Sequence, residues 1–126
     1  MPRTILIADD SAAIRRIVRS HLEKSPDFEI CGEAADGEKA VELVQKLNPD
    51  AVVLDFSMPT MNGLDAAQQM AELSPNTRVV LFTALATVLV RSRALRAGVK
   101  SVVAKDGKAS LEALQRALAG DEPVAA

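Results

Sequence analysis

The sequence predicts an α/β domain, a doubly wound parallel sheet of five strands with five helices. Short aliphatic runs alternate with segments of helical periodicity along the whole chain. The connections between them are short, as right-handed crossovers between neighbouring parallel strands require. Two of the runs end in carboxylates: Asp9-Asp10 follows Ile5-Leu6-Ile7-Ala8, and Asp55 follows Ala51-Val52-Val53-Leu54. In open α/β sheets this strand edge is where ligands bind.

Residues 4–8 form a continuous aliphatic run, which suits a strand covered on both faces. Residues 11–24 read as the first helix. Asp10 or Ser11 can cap it, and Ile14, Ile17, Val18 and Leu22 recur at helical spacing. Ser25-Pro26-Asp27 breaks it. A weaker strand over 28–34 leads through the Asp36-Gly37 turn to a second helix. Ala40, Val41, Leu43, Val44 and Leu47 mark that helix, and Asn48-Pro49 ends it. The third strand is expected over 51–56, and the third helix over 63–73 before Ser74-Pro75-Asn76. A fourth strand over 78–83 precedes a helix over 86–97, with Gly98 placed for a left-handed cap. The fifth strand spans 101–104 and the fifth helix 110–119, before Gly120. One domain is expected over 1–120, with 121–126 a loose tail.

Composition narrows the function. The 126 residues are 48% apolar but only 2% aromatic, so the core must be aliphatic. A net charge of -2 argues against nucleic-acid binding by this domain alone. The single Cys31 fits a reducing compartment and a buried structural role. No signal-peptide pattern opens the chain, and the most apolar stretch, 79–90, is too short to span a bilayer. A cytoplasmic protein without a membrane partner is the expectation.

The expected strand order is 2-1-3-4-5, a flavodoxin-like arrangement whose switch point lies between strands one and three. These are the strands that end in Asp9-Asp10 and Asp55, so the topology itself brings the carboxylates together. Clustered carboxylates repel one another unless a cation holds them. Oxygen donors plus water suit Mg2+, whereas one Cys and one His, distant in sequence, do not suit a softer metal. Strands four and five add Thr83 and Lys105 to the same edge.

This set resembles the receiver domain of two-component response regulators. The features that carry the resemblance are Asp9-Asp10, Asp55 with Met58-Pro59 and Asn62-Gly63 downstream, Thr83-Ala84, Lys105, and a first helix similar to that of chemotaxis-type receivers. The resemblance implies that Asp55 is the phosphoacceptor and that Asp9, Asp10, Asp55 and the Ser57 backbone carbonyl hold Mg2+. It implies that Lys105 and Thr83 contact phosphoryl oxygens, with the Ala84 amide beside them. The implied partners are a sensor histidine kinase or histidine phosphotransfer protein, docking on the first helix. A second copy of the chain or an effector domain would be reached through the face of helix four, strand five and helix five. Such a chain is a switch that catalyses only its own phosphorylation and dephosphorylation.

Several features depart from the family pattern or stay open. Val102 stands where many receivers carry an aromatic residue or His, and Asp106-Gly107 follows Lys105 where Pro is usual, leaving that loop's geometry open. Ser57 and Leu85 offer no carboxylate or amide to orient attacking water, so slow self-dephosphorylation is expected. The apolar segment 85–90 reads either as a well-buried helix or as a partner surface. His21 reads as a packing or surface residue. A flavin or nucleotide domain would need a phosphate loop where Asp9-Asp10 stands, and an aspartyl phosphatase usually spaces its two acids differently. A receiver-like module that binds partners without phosphorylation is the main alternative.

Overall fold

A computed structural model describes residues 1–120. The elements run β1 (Arg3–Ala8), α1 (Ala12–Glu23), β2 (Phe28–Ala34), α2 (Gly37–Leu47), β3 (Ala51–Leu54), α3 (Gly63–Leu73), β4 (Arg78–Thr83), α4 (Val88–Arg96), β5 (Ser101–Ala104) and α5 (Lys108–Ala119). The strands form one parallel sheet in the order β2-β1-β3-β4-β5, as expected. The expected tail, 121–126, lies outside the described residues.

Alternation along each strand divides the core between two faces. Leu6, Ala8, Val52, Leu54 and Leu81 point toward α2, α3 and α4, where they meet Val44, Ala66, Met70 and Ala94. Ile5, Ile7, Val53, Val80 and Phe82 point the other way and pack on Val18 and Leu22 of α1 and on Leu114 and Leu118 of α5. β1, β3 and β4 therefore carry consecutive apolar residues without alternating, over 5–8, 51–54 and 79–82, because both faces are covered there.

Several expected boundaries are corrected. β3 stops at Leu54 rather than Phe56. The Phe56 amide donates to the side chain of Asp55 at 2.8 Å, a local bond that replaces continuation of the ladder. α4 begins at Val88, two residues late. The Thr87 amide donates to the Leu85 carbonyl in a tight turn, and the Thr87 hydroxyl then caps the helix by accepting from the Val90 amide at 3.2 Å. α5 begins at Lys108 instead of Ser110, immediately after Gly107 at φ 108. β1 begins one residue early, at Arg3. Ser11, not Asp10, caps α1, by accepting from the Ile14 amide, and Lys24 is its C-cap instead of a helical residue.

α4 is not the well-buried helix that its apolar start allowed. Ala94 is its one buried residue, whereas Leu89 is 59% and Val88 85% exposed. Cys31 is only half-buried; it occupies a bulge in the β1–β2 register and packs against the core, and burial pushes its thiol up. His21 bridges α1 to α5 through Gln115, 3.0 Å from its Nε2.

Candidate functional site

The C-terminal ends of β1 and β3 lie side by side, with Ala8 opposite Leu54 in the ladder. The next residues, Asp9 and Asp55, therefore leave the sheet together. The Asp55 amide donates to the Ala8 carbonyl at 3.0 Å, and the Asp9 amide donates to Ala34 of β2 at 3.0 Å. Both residues are buried, at 3% and 7% exposure, while Asp10 is exposed. One carboxylate oxygen from each of Asp9, Asp10 and Asp55 lies within 4.8 Å of the other two.

The loop after β3 is pressed against this site. Gly63 opens α3 directly over the strand end, and its amide donates to Phe56 at 2.7 Å. A Cβ at Gly63 would collide with the Asp55 carbonyl, so a side chain there would displace the loop. Asn62 caps α3 by accepting from the Asp65 amide. Met58 and Met61 pack on the core from this loop, while Ser57 is exposed two residues beyond Asp55.

Lys105 is delivered by the end of β5, where its amide donates to the Thr83 carbonyl at 3.0 Å. Its ammonium group lies 2.6 Å from Asp9 Oδ2 and 3.2 Å from Asp55 Oδ2, and 5.8 Å from the centre of the Phe82 ring. This contact with Asp9 was not read from the sequence, which paired Lys105 only with the acceptor region. The buried Thr83 hydroxyl accepts from the Leu85 amide at 3.1 Å, joining the site to the loop that leads into α4.

Asp55 feels opposing influences. Burial pushes its carboxyl above the ordinary range; Lys105 opposes this, Asp9 adds to it, and the Thr83 hydroxyl opposes it. A buried acid facing a second acid lacks full compensation from one lysine. Hard oxygen donors at this spacing fit a small divalent ion such as Mg2+, so the residues present suit that ion. No peptide bond among the described residues is cis, which settles the geometry between Lys105 and Asp106 as trans.

Three residues to which the sequence reading gave no role in the site, Arg15, Arg19 and Glu33, hold the frame. The Arg15 guanidinium donates to the Asp9 backbone carbonyl at 2.6 Å and to Glu33 at 3.0 Å. Arg19 grips the other oxygen of Glu33 at 2.7 Å. Burial pushes the Glu33 carboxyl up, but the two arginines outweigh it and hold Glu33 below its usual range.

A doubly wound sheet with acids at the switch point and Thr and Lys on the two following strands defines a receiver-type signalling domain. The sequence matches the response regulator receiver domain family over residues 5–118, and the chain belongs to that family. It is 34% identical to the chemotaxis protein CheY of Thermotoga maritima over 118 residues, 92% of this chain and 98% of that protein. It is 36% identical to the nitrate/nitrite response regulator NarL of Escherichia coli, covering 95% of this chain but 56% of that protein. Among solved structures, the response regulator domain of Thermotoga maritima CheB superposes with a TM-score of 0.87 at 27% identity, over 98% of this chain and 100% of that one. A CheX–CheY–BeF3–Mg2+ complex from Borrelia burgdorferi gives 0.86 at 30% identity, over 98% and 92%. No helix among the described residues is long and apolar enough to cross a membrane.

Proposed function

We propose that residues 1–120 form a phosphoacceptor switch in which Asp55 takes a phosphoryl group from a phosphohistidine donor. The observation that carries this reading is the ammonium group of Lys105 seated between Asp9 and Asp55 at the switch point, beside the Thr83 hydroxyl. An Asp55 carboxylate oxygen attacks phosphorus in line, the phosphorus–nitrogen bond of the donor breaks, and the imidazole leaves with its electron pair and takes up a proton. Lys105 neutralises charge on the phosphoryl oxygens, and the Thr83 hydroxyl, which accepts from the Leu85 amide, donates its own proton to one of them.

Asp9, Asp10, Asp55 and the Ser57 carbonyl are the groups that would hold Mg2+, which supplies positive charge against the transferring phosphoryl group. Asp9 already spends one oxygen on the Ser11 amide at 2.9 Å and the other on Lys105. Asp10, exposed and facing the cluster, is therefore the freer ligand.

The donor would dock over α1. A groove of about 340 Å³ opens beside Lys105 between α1 and α5, lined by Ile14, Ile17, Phe82, Ser110 and Leu111, with Ile17 half-exposed. A sensor histidine kinase or a histidine phosphotransfer protein supplies the chemistry this groove needs. Output would pass through α4, β5 and α5 to an effector domain or a second copy. The chain is read as a switch acting in the cytoplasm, not as a turnover enzyme.

Incubation with an acyl phosphate and Mg2+ tests the reading. The intact mass is expected to rise by one phosphoryl group, and Asp55→Asn is expected to abolish the rise. An unchanged wild-type mass would leave only a binding module that works without phosphorylation. The same sample, followed after donor removal, is expected to lose its phosphoryl group slowly, because the exposed Ser57 and Leu85 cannot orient water.

A further inference from the structure

Every polar group of Asp9 is committed. Its amide donates to Ala34, its side chain divides between the Ser11 amide and Lys105, and its carbonyl accepts from Arg15. The Arg15 contact is the one that bears on Asp10. The Asp9 carbonyl and the Asp10 amide belong to a single planar peptide unit, so holding one orients the other. Asp10 is exposed, and that peptide plane sets the direction of the N–Cα bond from which its backbone and side chain depart.

Arg15 is itself held from behind. Its Nε donates to Glu33 on β2, and Glu33 is clamped in turn by Arg19, one turn further along α1. Arg15 keeps 19% of its side-chain exposure and Glu33 31%, so this pair is partly sheltered. Lysine in place of arginine could meet the carbonyl or the carboxylate, but it has no rigid fork to hold both at once.

We propose that Arg15 is a positioning residue for the divalent-ion site, holding the Asp9–Asp10 peptide so that the Asp10 carboxylate faces Asp9 and Asp55. This deepens the phosphoacceptor reading and rests on it. Coulomb's law alone predicts the opposite outcome of removing Arg15: a cation lost near a cation site should tighten Mg2+ binding. Positioning predicts weaker binding, because groups that orient metal ligands are worth about tenfold or more in affinity. The sign of the effect therefore decides between the two.

Calorimetric titration of Mg2+ into the full chain reads it directly. Arg15→Gln is expected to weaken Mg2+ about tenfold, and Arg15→Lys, which keeps the charge, several-fold. The Asp10 amide resonance of the metal-free protein is expected to shift in both variants, while melting temperatures in chelator stay close to wild type. Unchanged or tighter binding in Arg15→Gln would overturn the proposal. If Arg15→Gln does not fold, Arg15→Lys decides, since a charge effect alone leaves its affinity unchanged. Wild-type protein that does not bind Mg2+, or binds it equally well as Asp10→Asn, would instead defeat the phosphoacceptor reading itself.

Discussion

The two halves of the sheet edge are built to different standards. On the β1–β3 side the carboxylates stand on closed bonding networks: backbone pairs to Ala8 and Ala34, and the Arg15–Glu33–Arg19 chain behind Asp9. α1 and α2 bury their apolar stripes there, through Val18 and Leu22 and through Ala40, Val41 and Val44. On the β4–β5 side, α4 buries Ala94 alone and leaves Val88, Leu89 and Leu95 exposed, as is Leu85 in the loop before it. Divalent-ion and phosphoryl chemistry needs fixed oxygen atoms, whereas an output surface needs an element that can move. Shifting a two-state element from 1:9 to 9:1 takes about 2.6 kcal/mol. A weakly packed helix coupled to Thr83 is within reach of one new charge-assisted hydrogen bond.

The widest difference between the halves should appear in their leucines. Leu22 is fully buried between α1 and the sheet, so Leu22→Ala should cost about 2–5 kcal/mol. Leu89 is mostly exposed on α4, so Leu89→Ala should change stability by no more than about 0.5 kcal/mol. Urea unfolding of both variants measures the pair. Equal losses would erase the distinction, because they would mean that α4 is packed as firmly as α1.

The sequence disclosed the sheet more fully than it disclosed α4. β4 is buried along its length and advertises itself as an aliphatic run; it falls where the pattern put it, as do β5 and the half-exposed β2, while β1 and β3 differ by one or two residues at one end. The meeting of Asp9, Asp10 and Asp55 was legible because the order 2-1-3-4-5 of this doubly wound fold sets the first and third strands side by side, and the strand ends then carry the acids to one place. Arg15 and Glu33 were not legible. They lie on α1 and β2, both polar types with many surface uses, and only the docking of that helix on that strand pairs them. The burial of α4 stayed open because Val88, Leu89 and Val90 could pack anywhere around a helix. Periodicity finds a buried face only when the other face is polar.

A narrower test concerns what ties α4 down. Arg91 donates from Nη1 to the Val102 carbonyl on β5 at 3.0 Å and from Nε to the Ala86 carbonyl at 3.3 Å. β5 is an edge strand, and Val102 occupies the place where an aromatic switch residue would otherwise stand. Arg91→Ala should cost less than about 1 kcal/mol globally, since both bonds are exposed. Amide hydrogen exchange should nevertheless quicken several-fold across 85–96, with α1 unaffected. Exchange that quickens equally in α1 would show that the two halves open together.

The smallest effect separates two carboxylates by pH. Glu33 sits below its ordinary range because the arginine bonds outweigh its burial. Its contribution is therefore complete above the unfolded value near 4.3 and disappears as pH falls through the lower folded value. Asp55 is displaced the other way, by burial ahead of Lys105. Its ionisation costs stability once pH exceeds the folded value, and the cost vanishes below the unfolded one. At neutral pH, Glu33→Gln should lose about 0.5–1 kcal/mol, an amount limited by solvent at this partly exposed pair, and Asp55→Asn should gain stability. Both differences from wild type should shrink toward zero on acidification, Asp55→Asn first, because its folded value is the higher. Urea unfolding in chelator at stepped pH reads the two curves. A Glu33→Gln deficit that persists unchanged below both carboxylate values would mean that its arginine bonds support the metal edge by packing and not by charge.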